Sequence, residues 1–504
     1  MSRLKKLMGQ TAIYGVTNIA SRFVNLLLTP LLTGVLDRDS FGIQSALYVY
    51  IAFLLTLLTW GMETSVFRFS VQYPDNPKVF PTAFSFTAFI SSMFLLVAVL
   101  FSEPLAGLLK YPGRGDFVIY FSFIIVLDAL SSVPLAKLRQ MNRPLWFSAA
   151  NLTSIVTNFL LVAFFLVYCR NRYMQLGPDA GWLVNTVYDH DIGVGYVFIA
   201  NIVASAVKFL VVLPVIIKRG LGYDAPLLRE MLVYASPLAI AGVCYIINER
   251  ADHVILKYMS PADEADGIVG IYSAVYKMAI LMNIFIQAFR FAAEPFFFSL
   301  EKDSDARQVY ARILNYFTVF CLVIFLTVTL FVDFFKVILL RNEQYWEALY
   351  IVPILLMANL FSGVYQNLSM WYKLSGRTLY GMWFSIMGAL LTIGLNILLI
   401  PYFGYVGSAW ATLTCYVVMS VISYVVGQRN YYIPYQPLKI GFYILVAVCI
   451  YGVNLFIPKY SVAMQVFTGL ASIGRFVAIF VRNEPDVKTM IIAYYEKYTR
   501  KGRQ

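Results

Sequence analysis

Arg22, Arg250, Lys277 and Arg290 lie inside apolar stretches of this chain, and Arg68 closes another. An ionisable side chain in hydrocarbon is costly, and it is kept where it faces a cavity, a partner or an ion path. The arginine fork and the lysine ammonium both suit phosphate-type oxygens. These five cations therefore read as one binding site for an anionic headgroup. Each also has a plainer reading. Arg250 has Glu249 and Asp252 beside it for a local ion pair, Glu294 stands one turn after Arg290, and Arg68 and Arg290 can snorkel to lipid phosphates. Arg22 has no acid near it in sequence. Lys277 and Arg290 are thirteen residues apart, about 140° around a helix, so they do not share one narrow face.

The acids inside apolar stretches are the candidates for ion coupling: Asp128, which pairs most simply with Lys208, and Glu249 with Asp252. His253 reads either as a proton-sensitive partner or as a polar cap. Two short patterns resemble acidic metal motifs, Asp37-Arg38-Asp39 and Asp189-His190-Asp191. The first aligns with Ala265-Asp266-Gly267, a turn where Asp caps a helix, and the second has no ligand cluster around it. No G-x-x-x-x-G-K-[ST] loop occurs, so ATP does not drive the protein, and no metal or cofactor is expected.

Positioning these groups is the task of an apolar scaffold. Hydrophobic residues make up 60% of the 504 and charged ones 13%, too apolar a balance for a soluble chain. The five cysteines give no disulfide framework and read as small core residues. A net charge of +12 spread over short loops excludes a nucleic-acid face. Spans of roughly 20 apolar residues number fourteen, at 11–35, 40–62, 82–109, 117–137, 146–168, 193–217, 230–249, 268–292, 309–332, 346–371, 379–400, 406–427, 438–457 and 460–481. The seventh breaks at Asn248-Glu249-Arg250-Ala251-Asp252 and can run on to Met259. With the N-terminus inside, the inner loops and tails hold 24 of the 39 Lys and Arg and the outer loops nine, which places both termini in the cytoplasm. Arg3, Lys5 and Lys6 precede an uncleaved first span. Trp146, Trp182, Tyr345-Trp346, Trp371-Tyr372 and Tyr431-Tyr432 read as interfacial anchors.

The chain repeats itself. Phe41-Gly42-Ile43-Gln44-Ser45-Ala46 returns 228 residues later as Val269-Gly270-Ile271-Tyr272-Ser273-Ala274, and Arg22 and Arg250 each stand 20 residues before the glycine. Phe67-Arg68-Phe69 matches Phe289-Arg290-Phe291, and Arg139 to Arg143 matches Lys373 to Arg377. Six spans separate the copies, so both halves have one orientation and their two-fold axis runs along the membrane normal. The expected organisation is an all-α polytopic membrane protein with lobes at 1–218 and 226–428, added helices at 437–482 and a basic cytoplasmic tail at 483–504.

The same residues carry a family resemblance. Val269 to Ala274, the turn Ser375-Gly376-Arg377, and Asn396 followed by Pro401-Tyr402-Phe403-Gly404-Tyr405-Val406-Gly407-Ser408-Ala409-Trp410-Ala411-Thr412 are similar to the Wzx-type oligosaccharide-lipid flippases of the MATE/MOP exporter superfamily. That resemblance implies a bacterial inner-membrane protein, not an enzyme. It would carry an undecaprenyl-pyrophosphate-linked oligosaccharide (an O-antigen, capsule or exopolysaccharide unit) outward by alternating access. Arg22, Arg250, Lys277, Arg290 and Arg68 would line the cavity. H+ or Na+ coupling and glycan polymerase or ligase partners also follow from the resemblance. A lipid II flippase and a cation-coupled drug exporter are the alternatives within the superfamily. A membrane glycosyltransferase or polymerase using the outer acidic loops is the alternative outside it.

Overall fold

The computed structural model describes residues 20, 22–300, 303, 305–458 and 461–484, and every regular element among them is helical. Arg3, Lys5, Lys6, most of the first span's expected first half and nearly all of the tail at 483–504 lie outside the described residues. Twelve helices are long and apolar enough to cross a membrane, and a shorter apolar helix, Arg22–Val35, precedes them. The longer helices in chain order are α1 (Arg22–Val35), α2 (Arg38–Thr59), α3 (Met62–Gln72), α4 (Val79–Leu100), α5 (Gly115–Gln140), α6 (Pro144–Ala163), α7 (Gly195–Arg219) and α8 (Ala225–Met259). They continue as α9 (Ala265–Tyr276), α10 (Ile280–Leu300), α11 (Ala306–Leu330), α12 (Val352–Leu368), α13 (Leu379–Asn430), α14 (Pro437–Leu455) and α15 (Val462–Asn483).

The seventh span takes its longer form, to Met259, and the eleventh and twelfth spans are two helices that meet at a bend. The charged run 248–252 does not end a helix: α8 passes through it unbroken to Met259, because its polar groups find partners on neighbouring helices. The spans at 379–400 and 406–427 form one 52-residue run that turns at Gly404, where φ is 55°. A residue without Cβ adopts that backbone without strain, and Pro401 just before it weakens the helix locally.

Packing divides the chain into two compact units. Unit 1 comprises Met1–Lys277, Leu339–Ala348 and Thr378–Cys415, and unit 2 comprises Met278–Ile338, Leu349–Arg377 and Tyr416–Gln504. These units do not coincide with the sequence halves 1–218 and 226–428. The reason lies in α2 and α9, one helix from each half, which cross within unit 1 at Gly42 and Gly270 so closely that no Cβ fits at either position. Apolar burial gives no drive for helix association in lipid, so small residues that let backbones approach hold such a crossing together. Ala46, Ser273 and Ala274 extend it. The segment 339–348 caps the C-terminal end of α1: Thr33 donates to the Leu339 carbonyl at 2.8 Å, and the Tyr345 hydroxyl donates to the Leu36 carbonyl at 2.9 Å.

Unit 2 is built on aromatic packing of α10 against α11. Phe285 stacks on Phe317 and on Phe320, and Phe289 lies 4.7 Å from Phe317 between ring centroids. Gly363 of α12 leaves room for the Phe317 ring. Several expected interfacial anchors are core residues instead: Tyr345 in unit 1 and Trp371 in unit 2 are almost fully buried. Trp146 donates its indole N–H to the Val211 carbonyl at 3.0 Å. An aromatic ring near a span end is packed inward wherever a helix or loop covers it. Cys449 is exposed on α14 and is not a core residue; Cys169, Cys321 and Cys415 are buried.

Candidate functional site

Within unit 1, helix α8 carries a polar stretch running from Asn248 through Arg250, Asp252 and His253 to Lys257. Asp252 is 3% exposed and is held by three donors. The His253 backbone N–H and imidazole Nδ1 lie 2.9 and 2.7 Å from Oδ1, and the Tyr272 hydroxyl of α9 donates to Oδ2 at 2.7 Å. Ser408 on α13 is within hydrogen-bonding reach of the same Tyr272 phenol. From Ser408 the buried network continues through Asn396 Oδ1 at 2.7 Å, the Thr392 carbonyl at 2.7 Å, and Asn248 Oδ1 at 3.4 Å. Buried polar groups in the membrane need partners of this kind, and this one network ties α8, α9 and both sides of the Gly404 bend together.

That arrangement changes the reading of Arg250. Glu249, Asp252 and Tyr276 are its electrostatic neighbours, yet Asp252 is claimed by His253 and Tyr272, and no acid forms an ion pair with Arg250 among the described residues. Lys277 begins the short 3₁₀ turn Lys277–Ala279 that separates α9 from α10, and Arg250 is the nearest cation acting on it. Two cations of unit 1 thus lie within electrostatic reach of each other, half-buried, with no carboxylate paired to either. His253, expected as a possible helix cap, lies mid-helix with Tyr272 and Tyr276 edge-on to its ring at 5.1 and 5.7 Å.

The other proposed cations are placed as follows. Arg22 is exposed on α1. Arg68 is exposed on α3, its guanidinium 4.1 Å above the Tyr234 ring, a cation–π contact that fixes its direction. Arg290 belongs to unit 2, where with Gln366, Asn367 and Lys373 it lines a small open cleft between α10 and α12. Its expected i,i+4 partner Glu294 pairs instead with Lys373 at 2.7 Å, because the Lys373 ammonium reaches the carboxylate from the short helix Met370–Leu374 that follows α12. Unit 1 holds a matching pair, Arg139 with Glu63 at 2.9 Å. Arg250 and Lys277 are electrostatic neighbours in unit 1; Arg290 lies in the other unit.

Asp128 and Lys208 form a 2.6 Å ion pair between α5 and α7. The acidic patterns at Asp37–Asp39 and Asp189–Asp191 have structural roles. Asp37 caps α2 by accepting from the Ser40 N–H, and Asp189 caps a 3₁₀ turn by accepting from the Asp191 N–H. Asp266, expected as a cap, lies in the first turn of α9 and accepts from Lys257 at 2.8 Å and from Tyr111 at 3.0 Å. The Lys257 ammonium is fully buried over the Tyr111 ring, 3.2 Å from its centroid. Lys257 was missed in the sequence because it sits at a span end, where a lysine ordinarily reads as a snorkelling side chain. Its spacing of nine residues from Asp266 was the available signal.

The fold is that of known membrane transporters. The structure aligns over 94% of this chain and 99% of the other with "Lipid II flippase MurJ, inward closed conformation", at a TM-score of 0.72 and 13% identity. It aligns over 81% of this chain and 94% of the other with an inward-facing multidrug resistance MATE family transporter of the MOP superfamily, at a TM-score of 0.65 and 12% identity. A MATE structure in complex with MaD3S gives a TM-score of 0.57 at 12% identity, over 84% of this chain and 95% of the other. No curated protein matches by sequence. Residues 7–301, more than half of the chain, match the family model for polysaccharide biosynthesis proteins. The chain is accordingly a multi-pass membrane protein of MOP-type transporter fold, and it belongs to the polysaccharide biosynthesis protein family.

Proposed function

We propose that this protein is a flippase that moves an undecaprenyl-pyrophosphate-linked oligosaccharide across the bacterial inner membrane by alternating access. The observation that supports the reading is that Arg250 and Lys277 are electrostatic neighbours and that, among the described residues, neither forms an ion pair with a carboxylate. Like charges held together in a low-dielectric site are stabilised by an anion between them, and a diphosphate supplies one. Arg22, Arg68 and Arg290 are assigned to the path of the same headgroup, and Asp128, Glu249 and Asp252 to ion coupling. Fourteen crossings follow if α1 extends upstream and the run 379–430 counts as two helices at Gly404. On that count both termini are cytoplasmic, the lobes are 1–218 and 226–428, and the helices at 437–482 lie beside the polyprenyl tail. The protein itself catalyses no reaction, and glycan polymerase or ligase machinery acts after it.

Alanine at Arg250, and separately at Lys277, is expected to lower surface glycan at least tenfold while the membrane level of the protein is unchanged. Normal display in both variants overturns the reading. The structural likeness to a lipid II flippase favours a second reading in which lipid II is the cargo. Rescue of a strain depleted of its lipid II flippase, with no effect on surface glycan, would select it.

A further inference from the structure

We infer that the flank of α15 around Arg475 is a docking surface for a transmembrane helix of another protein, one that carries an Asp or Glu at mid-membrane depth. The inference does not depend on which cargo the protein moves.

Contacts within unit 2 fix how α15 is turned. Gly469, Ser472 and Phe476 are buried. The Phe331 ring leaves no room for a Cβ at Gly469, and the Ser472 hydroxyl accepts from the Asn454 amide at 2.9 Å. Another stripe, Met464, Thr468, Ala471, Arg475, Ala478 and Arg482, follows the helix at alternating intervals of four and three residues. That alternation is the repeat of a seam between two helices. Arg475, Ala478 and Arg482 in this stripe are exposed, and the alanines on either side of Arg475 let a second backbone come close.

Depth sets the cost of that exposure. The Glu484 carboxylate, which pairs with Lys439 at 2.6 Å and accepts from Tyr443 at 3.1 Å, marks one end of the α14–α15 pair. Arg475 lies nine residues before it, about 13 Å along the helix, and fourteen residues after the Ser461 cap, about 21 Å. Both distances put its Cα inside a hydrocarbon core roughly 30 Å thick. Side chains lean toward the N-terminus of their helix, so Arg475 leans away from the nearer surface instead of snorkelling to it.

A guanidinium in lipid is costly and is kept where it has a partner. Among the described residues Arg475 makes no hydrogen bond, ion pair or ring contact, so the balancing charge comes from outside them. A carboxylate matches the arginine fork, and on a helix seated along the stripe it arrives at the same depth. Phospholipid phosphates stay at the membrane surfaces. A second copy docking by the same flank would set arginine against arginine, because a two-fold interface places each patch on itself. An acidic residue on a different membrane protein is the occupant this charge selects.

Full-length protein with a donor fluorophore on the exposed Cys449 is placed in phosphatidylcholine vesicles with acceptor-labelled Leu/Ala helices of spanning length. One helix has a central Asp, and its twins have Asn or Lys there. The Asp helix is expected to bind about tenfold more tightly than the Asn helix. Arg475→Leu is expected to lose that preference with no fall in melting temperature, and Arg475→Glu is expected to prefer the Lys helix. Equal binding of the Asp and Asn helices to wild type, or an Asp preference that survives in Arg475→Leu, overturns the docking surface.

Two further outcomes would give the flank to another occupant and so overturn the inference. Loss of the Asp preference when phosphatidylglycerol is mixed into the vesicles assigns it to an anionic lipid. Energy transfer between two labelled copies of the protein that disappears in Ala478→Ile assigns it to self-association. The expected results are a preference retained in phosphatidylglycerol and no transfer between copies. None of these measurements reads glycan display, so a failure of the flippase reading, seen in the Arg250 and Lys277 variants, stays separate.

Discussion

Gly42 and Gly270 occupy the same crossing point from opposite sides. A Cβ on Gly42 would stand 2.9 Å from the Gly270 nitrogen and overlap the Asp266 carbonyl; a Cβ on Gly270 would stand 3.0 Å from the Gly42 nitrogen and overlap the Arg38 carbonyl. Each glycine thus meets the carbonyl four residues before the other. The two copies of the sequence repeat are therefore not only alike but packed on each other, backbone to backbone.

Substituting either glycine tests that packing. The obstacle is main chain, which cannot turn aside as a side chain would, so Gly42→Val and Gly270→Val are expected to lose about 1–3 kcal/mol by overpacking. The measurement is the melting temperature of the purified protein, together with glycan display. Gly474→Ala is the control, since nothing lies within 4 Å of its added Cβ. Wild-type melting in both valine variants would mean that α2 and α9 do not need to touch.

The Asp128–Lys208 pair distinguishes a lock from a coupling site. Its 2.6 Å geometry, with side chains 21% and 15% exposed, predicts that removing one partner alone destabilises the protein, by up to about 3–5 kcal/mol, through the unbalanced charge left behind. The double variant Asp128→Asn/Lys208→Met is expected to regain both stability and glycan display. A stable double variant without display would return Asp128 to the coupling role.

Alkaline pH probes the Tyr111–Asp266–Lys257 cluster. Burial, and then the Asp266 carboxylate, hold the Tyr111 phenol above its ordinary value of 10.0. In the unfolded chain the phenol ionises near about pH 10, while in the folded chain it stays protonated. Its contribution to stability is therefore complete below that pH and declines as pH rises beyond it. Tyr111→Phe, which keeps the ring under the Lys257 ammonium, is expected to lower the melting temperature at neutral pH and to flatten its decline between about pH 9 and 11. Parallel curves for the two proteins would show that the phenol does not contribute.

Residue order alone determined what depends on local pattern. Span positions follow from runs of apolar residues, because a helix that satisfies its own backbone is one of the few structures the bilayer interior admits. The repeat was legible because Gly42 and Gly270, with the small residues after them, answer one packing need twice. The Asp128–Lys208 pair was legible because unlike charges at similar depth find each other. Side-chain partnership between distant segments was decided only by tertiary structure. Asp252 could have held Arg250, two residues away, but α9 brings Tyr272 to it and His253 turns inward, so among the described residues it forms no ion pair with the arginine. Glu294 could have held Arg290, but the short helix Met370–Leu374 brings Lys373 to it. In each case the local pair and the distant pair offer similar electrostatic attraction, and packing chooses between them, since it alone determines which side chain is already in place when the charge is buried.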